Sequence, residues 1–176
     1  VQSIKLHLGC GPHIFEGWKN VDLEPGSRGV KADLRKGLPW QGTETVDYIF
    51  TEHFIEHLTR DDGQRFLDEC YRVLRPRGVL RISTPDLNFL VDCFELKQTD
   101  HWVPTWRPRS PSRMLNEGMR LWGHQFLYDV SEMIQALHEA GFQFVEKCDW
   151  RQSRHPDLKG MEIRPFIGDL IVEAMK

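Results

Sequence analysis

Residues 4–12 read Ile4-Lys5-Leu6-His7-Leu8-Gly9-Cys10-Gly11-Pro12. Ile4, Leu6 and Leu8 alternate with Lys5 and His7, which is the period of a strand, and the run ends on two glycines around one residue. A strand that stops in so slight a turn exposes backbone, because glycine permits unusual φ angles and lets a bound group approach the main chain closely. A carboxylate past the next strand, at Asp22, is placed to take both hydroxyls of a ribose. Together they predict a nucleoside pocket. The dinucleotide fingerprint G-x-G-x-x-G is not met, because Ile14 holds the third glycine position, so a nicotinamide or flavin is disfavoured. A tight turn without a ligand is the plain alternative, and the downstream sequence decides between the two.

The chain has 176 residues, enough for one domain with a sizeable core, and 40% of them are apolar, as in a globular protein. No apolar run approaches the ~20 residues that span a bilayer. Val1 leads almost directly into the first strand, so no signal peptide is read there. Cys10, Cys70, Cys93 and Cys148 are widely spaced with no C-x-x-C pair, which reads as reduced thiols, neither a disulfide framework nor a zinc site. The expected location is the cytoplasm, away from membranes. A net charge of -3 argues against a nucleic-acid partner, since such binding needs an excess of Lys and Arg.

Only Pro12 to Gly17 separate the first strand from a second, Trp18 to Val21. A parallel crossover normally takes ~10–12 residues or more with its helix, so the first helix must be missing or reduced to a turn. Val30 to Ala32 is a short third strand ending at Asp33-Leu34, and Val46 to Phe50 a buried fourth. Thr59 is a candidate N-cap for a helix to Leu74, with Phe66, Leu67, Cys70, Val73 and Leu74 on one face. Pro76 and Gly78 end it, and Val79 to Ile82 is the fifth strand. Strands alternating with helices predict a mainly parallel sheet whose ligands sit beyond the carboxyl ends of the strands. From Pro85 to Gln125 the pattern loosens around Pro104, Pro108 and Pro111, in a stretch rich in Trp and Arg that reads as a lid. Asp129 then caps a helix that Gly141 stops, and strands follow at Phe142 to Cys148 and Phe166 to Val172.

Seven segments in order resemble a class I S-adenosylmethionine-dependent methyltransferase, in particular the small bacterial proteins with a "type 11" methyltransferase domain. They are Leu6-His7-Leu8-Gly9-Cys10-Gly11, Val21-Asp22, Ala32-Asp33-Leu34, Val46-Asp47-Tyr48-Ile49-Phe50, Phe54-Ile55-Glu56-His57-Leu58, Arg72-Val73-Leu74-Arg75-Pro76-Arg77-Gly78 and Ala140-Gly141-Phe142. The resemblance implies an α/β, Rossmann-like, seven-stranded, mainly parallel sheet with the last strand antiparallel and a shortened first crossover. Residues 1–176 would be a single domain, with 87–125 a lid and acceptor-binding insertion. S-adenosyl-L-methionine would be the cofactor. Gly9, Cys10 and Gly11 would bind its methionine end through backbone, and Asp22, with Leu23 beside it, its ribose. Asp33 would accept from the adenine amino group, and the Leu34 backbone would meet the ring. Thr51, Glu52 and His53 would line the sulfonium end. The family often has an acidic residue where this chain has His7, and a glycine where it has His13.

Methyl transfer to a hydroxyl needs alignment and a group that takes a proton, and histidine suits the second task. His53, His57 and His124 are the candidates; His57 and His124 are the catalytic assignments. A structural role for either ring is the competing reading. His53-Phe54-Ile55-Glu56-His57 also fits H-x-x-E-H, but that protease motif belongs on a long helix, whereas here it follows a strand. No metal is therefore assigned, although some methyltransferases bind a divalent ion through a Glu-His pair at this place, and the resemblance implies that His53, Glu56, His57 and His124 could serve as ligands. The expected activity is methylation of a small-molecule acceptor, at oxygen, such as a sugar or other metabolite. The alternatives are a protein or N-methyltransferase and a non-catalytic cofactor-binding module. The oligomeric state is not legible.

Overall fold

The computed structural model describes residues 3–165 and 167–176. Seven strands form one sheet in the order β3-β2-β1-β4-β5-β7-β6. These are β1 (Lys5–Leu8), β2 (Lys19–Asp22), β3 (Val30–Lys31), β4 (Val46–Glu52), β5 (Leu74–Pro85), β6 (Phe144–Lys147) and β7 (Asp169–Met175). The first five run parallel, and β7 lies antiparallel to both β5 and β6. The expected sheet, with its reversed last strand, is the one observed. The strand expected over 166–172 instead covers Asp169–Met175; Phe166 is outside the described residues.

Alternation sorts each strand's side chains between two cores. Leu6 and Leu8, Ile49, Leu80 and Ile82, and Leu170 and Val172 face helices α1 (Arg60–Val73) and α4 (Val130–Ala140). Helix α1 starts where the Thr59 hydroxyl accepts from the Asp62 N–H and buries Phe66, Leu67, Cys70 and Val73. Helix α4 starts on Asp129, which accepts from the Glu132 N–H, and ends at Gly141 with φ 109. Each large apolar side chain buried this way contributes ~1.5–3 kcal/mol.

On the other face the short crossover leaves no room for a helix, and no helix forms between β1 and β2. Asn20 does the helix's job of pairing backbone: its Nδ2 donates to the Phe15 and Trp18 carbonyls and its Oδ1 accepts from the Phe15 N–H, each at 2.9 Å. Phe15 and Trp18 thereby pack with Tyr48, Phe50 and Val79 against Leu158 and Met161. Residues 149–164 are thus a strap across the face. Its anchor is the fully buried Arg81, paired with Glu162 at 2.5 Å and Glu173 at 2.6 Å.

Two expectations need correction. Helix α1 passes directly into β5, which begins at Leu74 rather than Val79; Pro76 and Gly78 lie where the register against β4 shifts between Val46 and Tyr48. Proline lacks a ladder donor, so it sits in that irregularity and does not force a separate turn. The stretch from Pro85 to Gln125 is no long loop either, because it holds α2 (Leu87–Glu95) and α3 (Pro111–Gly118). Ser110 caps α3 and Pro111 occupies its first turn, where a missing N–H costs nothing. Leu90, Cys93, Met114 and Leu127 form a small core there, with Trp102 and Trp106 packed on it.

Candidate active site

The carboxyl ends of β1, β2, β4 and β5 share one edge of the sheet. Gly9 and Gly11 adopt φ 72 and φ 51, in the left-handed region glycine tolerates. A Cβ on Gly9 would lie 2.5 Å from the Phe54 ring, whereas one on Gly11 would meet open space. The turn's amides are already committed: Gly9 and Cys10 donate to the Val21 carbonyl at 2.9 and 3.2 Å, and Gly11 donates to Asp22 Oδ2 at 2.8 Å. A ligand at this turn therefore meets carbonyl oxygen, and the Gly9 carbonyl has no donor among the described residues. An ammonium group suits it.

Asp22 takes the Gly11 and Glu24 N–H groups, both at 2.8 Å, one on each oxygen. Each oxygen keeps a lone pair, so the carboxylate is fixed and can still accept from a diol. Leu23 beside it is half exposed. Asp33 is clamped by Arg35, whose Nε and Nη2 lie 2.8 and 2.9 Å from its two oxygens, and this pairing holds its carboxyl below the usual range. Leu34 is buried, and its N–H has no acceptor among the described residues. These features fit an adenosine along the strand ends, with the methionine end toward Gly9.

At the end of β4, which runs two residues past Phe50, the placement departs from expectation. Thr51 is buried with its hydroxyl unpartnered. Glu52 is directed at the strap: it accepts the Ile163 and Arg164 N–H groups at 3.2 and 3.1 Å, while burial raises its pKa. It closes the site structurally and is not free for the sulfonium. His53 has φ 51, unusual for a residue with a Cβ, and its Nδ1 and Nε2 face Glu56 Oε1 and Asp169 Oδ1, each at 3.3 Å. Burial opposes its protonation, but the hydrogen bonds to Asp169 and Glu56 win, and its pKa rises to about 9. His7, the departure beside the glycine turn, faces away from this edge, packed on Phe15 and Phe50.

Between these strand ends and residues 87–125 lies a cavity of about 400 Å³. Phe89, Trp102, Trp106 and Trp122 line one side, and His53, His57, His124, Arg164 and Asp169 the other. The His57 and His124 rings are 5.1 Å apart. They are held so because Gln125 and Phe126 donate backbone N–H groups to the Glu56 carbonyl at 2.8 and 3.3 Å, and Gln125 Nε2 donates to the His57 carbonyl. Burial lowers the His124 pKa. The lining does not include Gly11, Asp22 or Asp33, so the cavity is the neighbour of the adenosine groove and not the groove itself. Sequence reasoning brought His57, His124 and the tryptophans to this place, but missed Asp86, Arg164 and Asp169. Asp169 opens the last strand, and nothing local in the sequence marks it.

The seven-stranded sheet agrees with the fold of known methyltransferases. Residues 16–82 match the family model described as "Methyltransferase domain". This match and the fold together support a class I S-adenosylmethionine-dependent methyltransferase domain. S-adenosyl-L-methionine is the cofactor of that class. Over 64 residues the chain is 41% identical to a probable S-adenosylmethionine-dependent methyltransferase of Mycolicibacterium smegmatis, which is 34% of this chain and 24% of that protein. It therefore spans about a quarter of the length of that relative. It is 24% identical over 188 residues to a ubiquinone biosynthesis O-methyltransferase of Parvibaculum lavamentivorans, covering 90% of this chain and 69% of the relative. The solved S-adenosylmethionine-dependent methyltransferase of Mesorhizobium loti shares the fold, with TM-score 0.60 and 19% identity over 99% of this chain and 91% of that one. Among the described residues no helix is long and apolar enough to cross a membrane.

Proposed function

We propose that the protein transfers a methyl group from S-adenosyl-L-methionine to an oxygen of a small-molecule acceptor. The observation that carries this reading is the cavity of about 400 Å³ beside the adenosine groove, with two imidazoles converging on it. When bound, the cofactor supplies a methyl group on a sulfonium, ready for displacement. Asp22 would hold the ribose hydroxyls, the second lone pair of Asp33 Oδ2 would meet the adenine amino group, and the Gly9 carbonyl would take the methionine ammonium. Leu23, Leu34, Cys10, Gly11 and Thr51 complete that wall. Glu52 supports it from behind by fixing the strap, and His53 borders the sulfonium end while held between Glu56 and Asp169.

Residues 87–125 would form the lid over the acceptor. Their Trp102, Trp106 and Trp122 rings, tilted or edge-on to one another, give an apolar wall that would exclude water and offer ring faces to a cyclic acceptor. The acceptor hydroxyl then faces His57 and His124, the groups placed to draw away its proton as the carbon–oxygen bond forms. An acid-rich wall for an amine is less developed, since Asp169 is already occupied by His53.

The test is transfer of labelled methyl to a panel of hydroxylated small molecules, with amines and a protein extract as comparison. Product on a hydroxyl, reduced in His57→Ala and His124→Ala with cofactor affinity retained, is the expected result. Transfer only to nitrogen or to protein would refute the oxygen assignment. Tight cofactor uptake with no transfer to any acceptor would mark a binding module instead.

A further inference from the structure

The cavity wall carries one cation that no step of the transfer uses. Arg164 lines it from the end of the strap. The main chain there is pinned on both sides: the Arg164 N–H donates to Glu52 Oε1 at 3.1 Å, and Trp150 Nε1 donates to the Arg164 carbonyl at 3.3 Å. Pro165 follows and restricts the backbone of the residue before it. These two hydrogen bonds are both made by backbone atoms of Arg164; among the described residues its guanidinium has no acceptor and no ion pair, and the residue is exposed.

The carboxylates around it are satisfied elsewhere. Asp169 faces His53 at 3.3 Å, Asp86 caps α2 through the Asn88 N–H at 2.9 Å, and Glu52 is taken up by the Ile163 and Arg164 amides. Most of the remaining lining is apolar, with Phe89, Leu90, Trp102, Trp106, Trp122 and Leu127. We infer that the acceptor bears an oxyanion, a carboxylate or a phosphate, which Arg164 binds while the body of the acceptor lies against the tryptophans.

The chemistry of the two walls supports this division. A guanidinium presents a planar fork of N–H groups that matches two oxygens of a carboxylate or phosphate. Apolar rings near such a pair reduce its exposure to water and strengthen it. With a neutral acceptor the cation would gain nothing from the cavity it lines. An anionic acceptor is also drawn toward a sulfonium at the strand ends, whereas a protonated amine is repelled. The chain as a whole has a net charge of -3, so attraction for an anion has to be local. A cavity of about 400 Å³ has room for one substituted ring of this kind. That the cavity receives the methyl acceptor rests on the methyl-transfer reading; a preference of the cavity for anions does not. A solvated surface arginine is the plain alternative.

The experiment is isothermal titration of the full chain, with and without S-adenosylhomocysteine, using 4-hydroxybenzoate, 4-hydroxyphenyl phosphate and the neutral 4-hydroxybenzamide as probes. At least one anion should bind about tenfold or more tightly than the amide, and the tighter of the two identifies the oxyanion. Trp122→Ala should weaken that binding, which locates it in this cavity. Arg164→Gln should abolish the preference while S-adenosylhomocysteine affinity and the urea midpoint stay unchanged, and Arg164→Lys should retain part of it. Arg107→Gln alters an exposed lid arginine outside the cavity lining and should have no effect. Equal affinity for charged and neutral probes, a preference that survives Arg164→Gln, or no binding of any probe at millimolar concentration would overturn the inference. The two readings fail separately: methyl transfer to nitrogen with the anion preference intact sinks only the oxygen assignment, and transfer to neutral hydroxyls at the same rate in Arg164→Gln sinks only the anion.

Discussion

Acid should destabilise this protein through His7, a buried residue that faces away from the candidate site and packs on the β1–β2 crossover. The ring is 1% exposed, donates from Nδ1 to Asn20 Oδ1 at 3.1 Å and rests on Phe15 and Phe50. Asn20 Nδ2 points at two carbonyls, so its oxygen is the acceptor, and the neutral imidazole satisfies it. Burial lowers the pKa from 6.5 to about 4, with the Asn20 bond opposing only in part. The unfolded chain therefore takes up a proton as pH falls through 6.5, while the folded chain resists until about pH 4. The stability is fully present above pH 6.5 and is lost across that window. At 1.36 kcal/mol per pKa unit, the loss between pH 7 and pH 4.5 is about 2.5 kcal/mol, a large share of the ~5–15 kcal/mol typical of a domain. Urea unfolding of the wild type and His7→Gln at a series of pH values isolates it, because the slopes from His124 and the carboxylates are common to both proteins. Stability curves that run parallel from pH 7 to pH 4.5 would refute the reasoning.

Other perturbations follow from the same contacts. Glu162→Ala leaves the buried Arg81 with one carboxylate partner, Glu173, and should cost ~3–5 kcal/mol in chemical denaturation, with the strap becoming the most protease-sensitive segment. Gly9→Ala puts a Cβ 2.5 Å from the Phe54 ring at φ 72 and should cost ~2 kcal/mol or more, weakening S-adenosylhomocysteine binding along with stability. Trp122→Ala removes a side chain that is 57% exposed; urea midpoints should shift by less than ~1 kcal/mol while acceptor KM rises.

Much of the fold was legible because local rules and global topology agree. Leu6 and Leu8 alternate with His7, Thr59 and Asp129 cap the helices they precede, and the crossover of Pro12 to Gly17 is too short for a helix. Asp22 and Asp33 could be placed at strand ends by counting alone. What escaped has long-range causes. The strap 149–164 has no apolar period, and it is ordered by Arg81, Glu52 and the crossover aromatics, partners distant in sequence. Glu52 and His53 were legible as positions at the end of the fourth strand, but their partners, the Ile163 and Arg164 amides and Asp169, only the fold supplies. Helices α2 and α3 were hidden by the prolines and tryptophans around them, although Ser110-Pro111 is a helix-start signal that could have been read.

The central claim is that Asp22 and Asp33 at neighbouring strand ends grip one adenosine. Isothermal titration of S-adenosylhomocysteine into the wild type and Asp22→Ala tests it most directly, with circular dichroism confirming that both are folded. One site in the wild type, weakened by about tenfold or more in the variant as two ribose hydrogen bonds to a charged acceptor are lost, is the predicted result. A folded wild-type protein that takes up neither S-adenosylhomocysteine nor S-adenosylmethionine, or a variant that binds as tightly as the wild type, would contradict it.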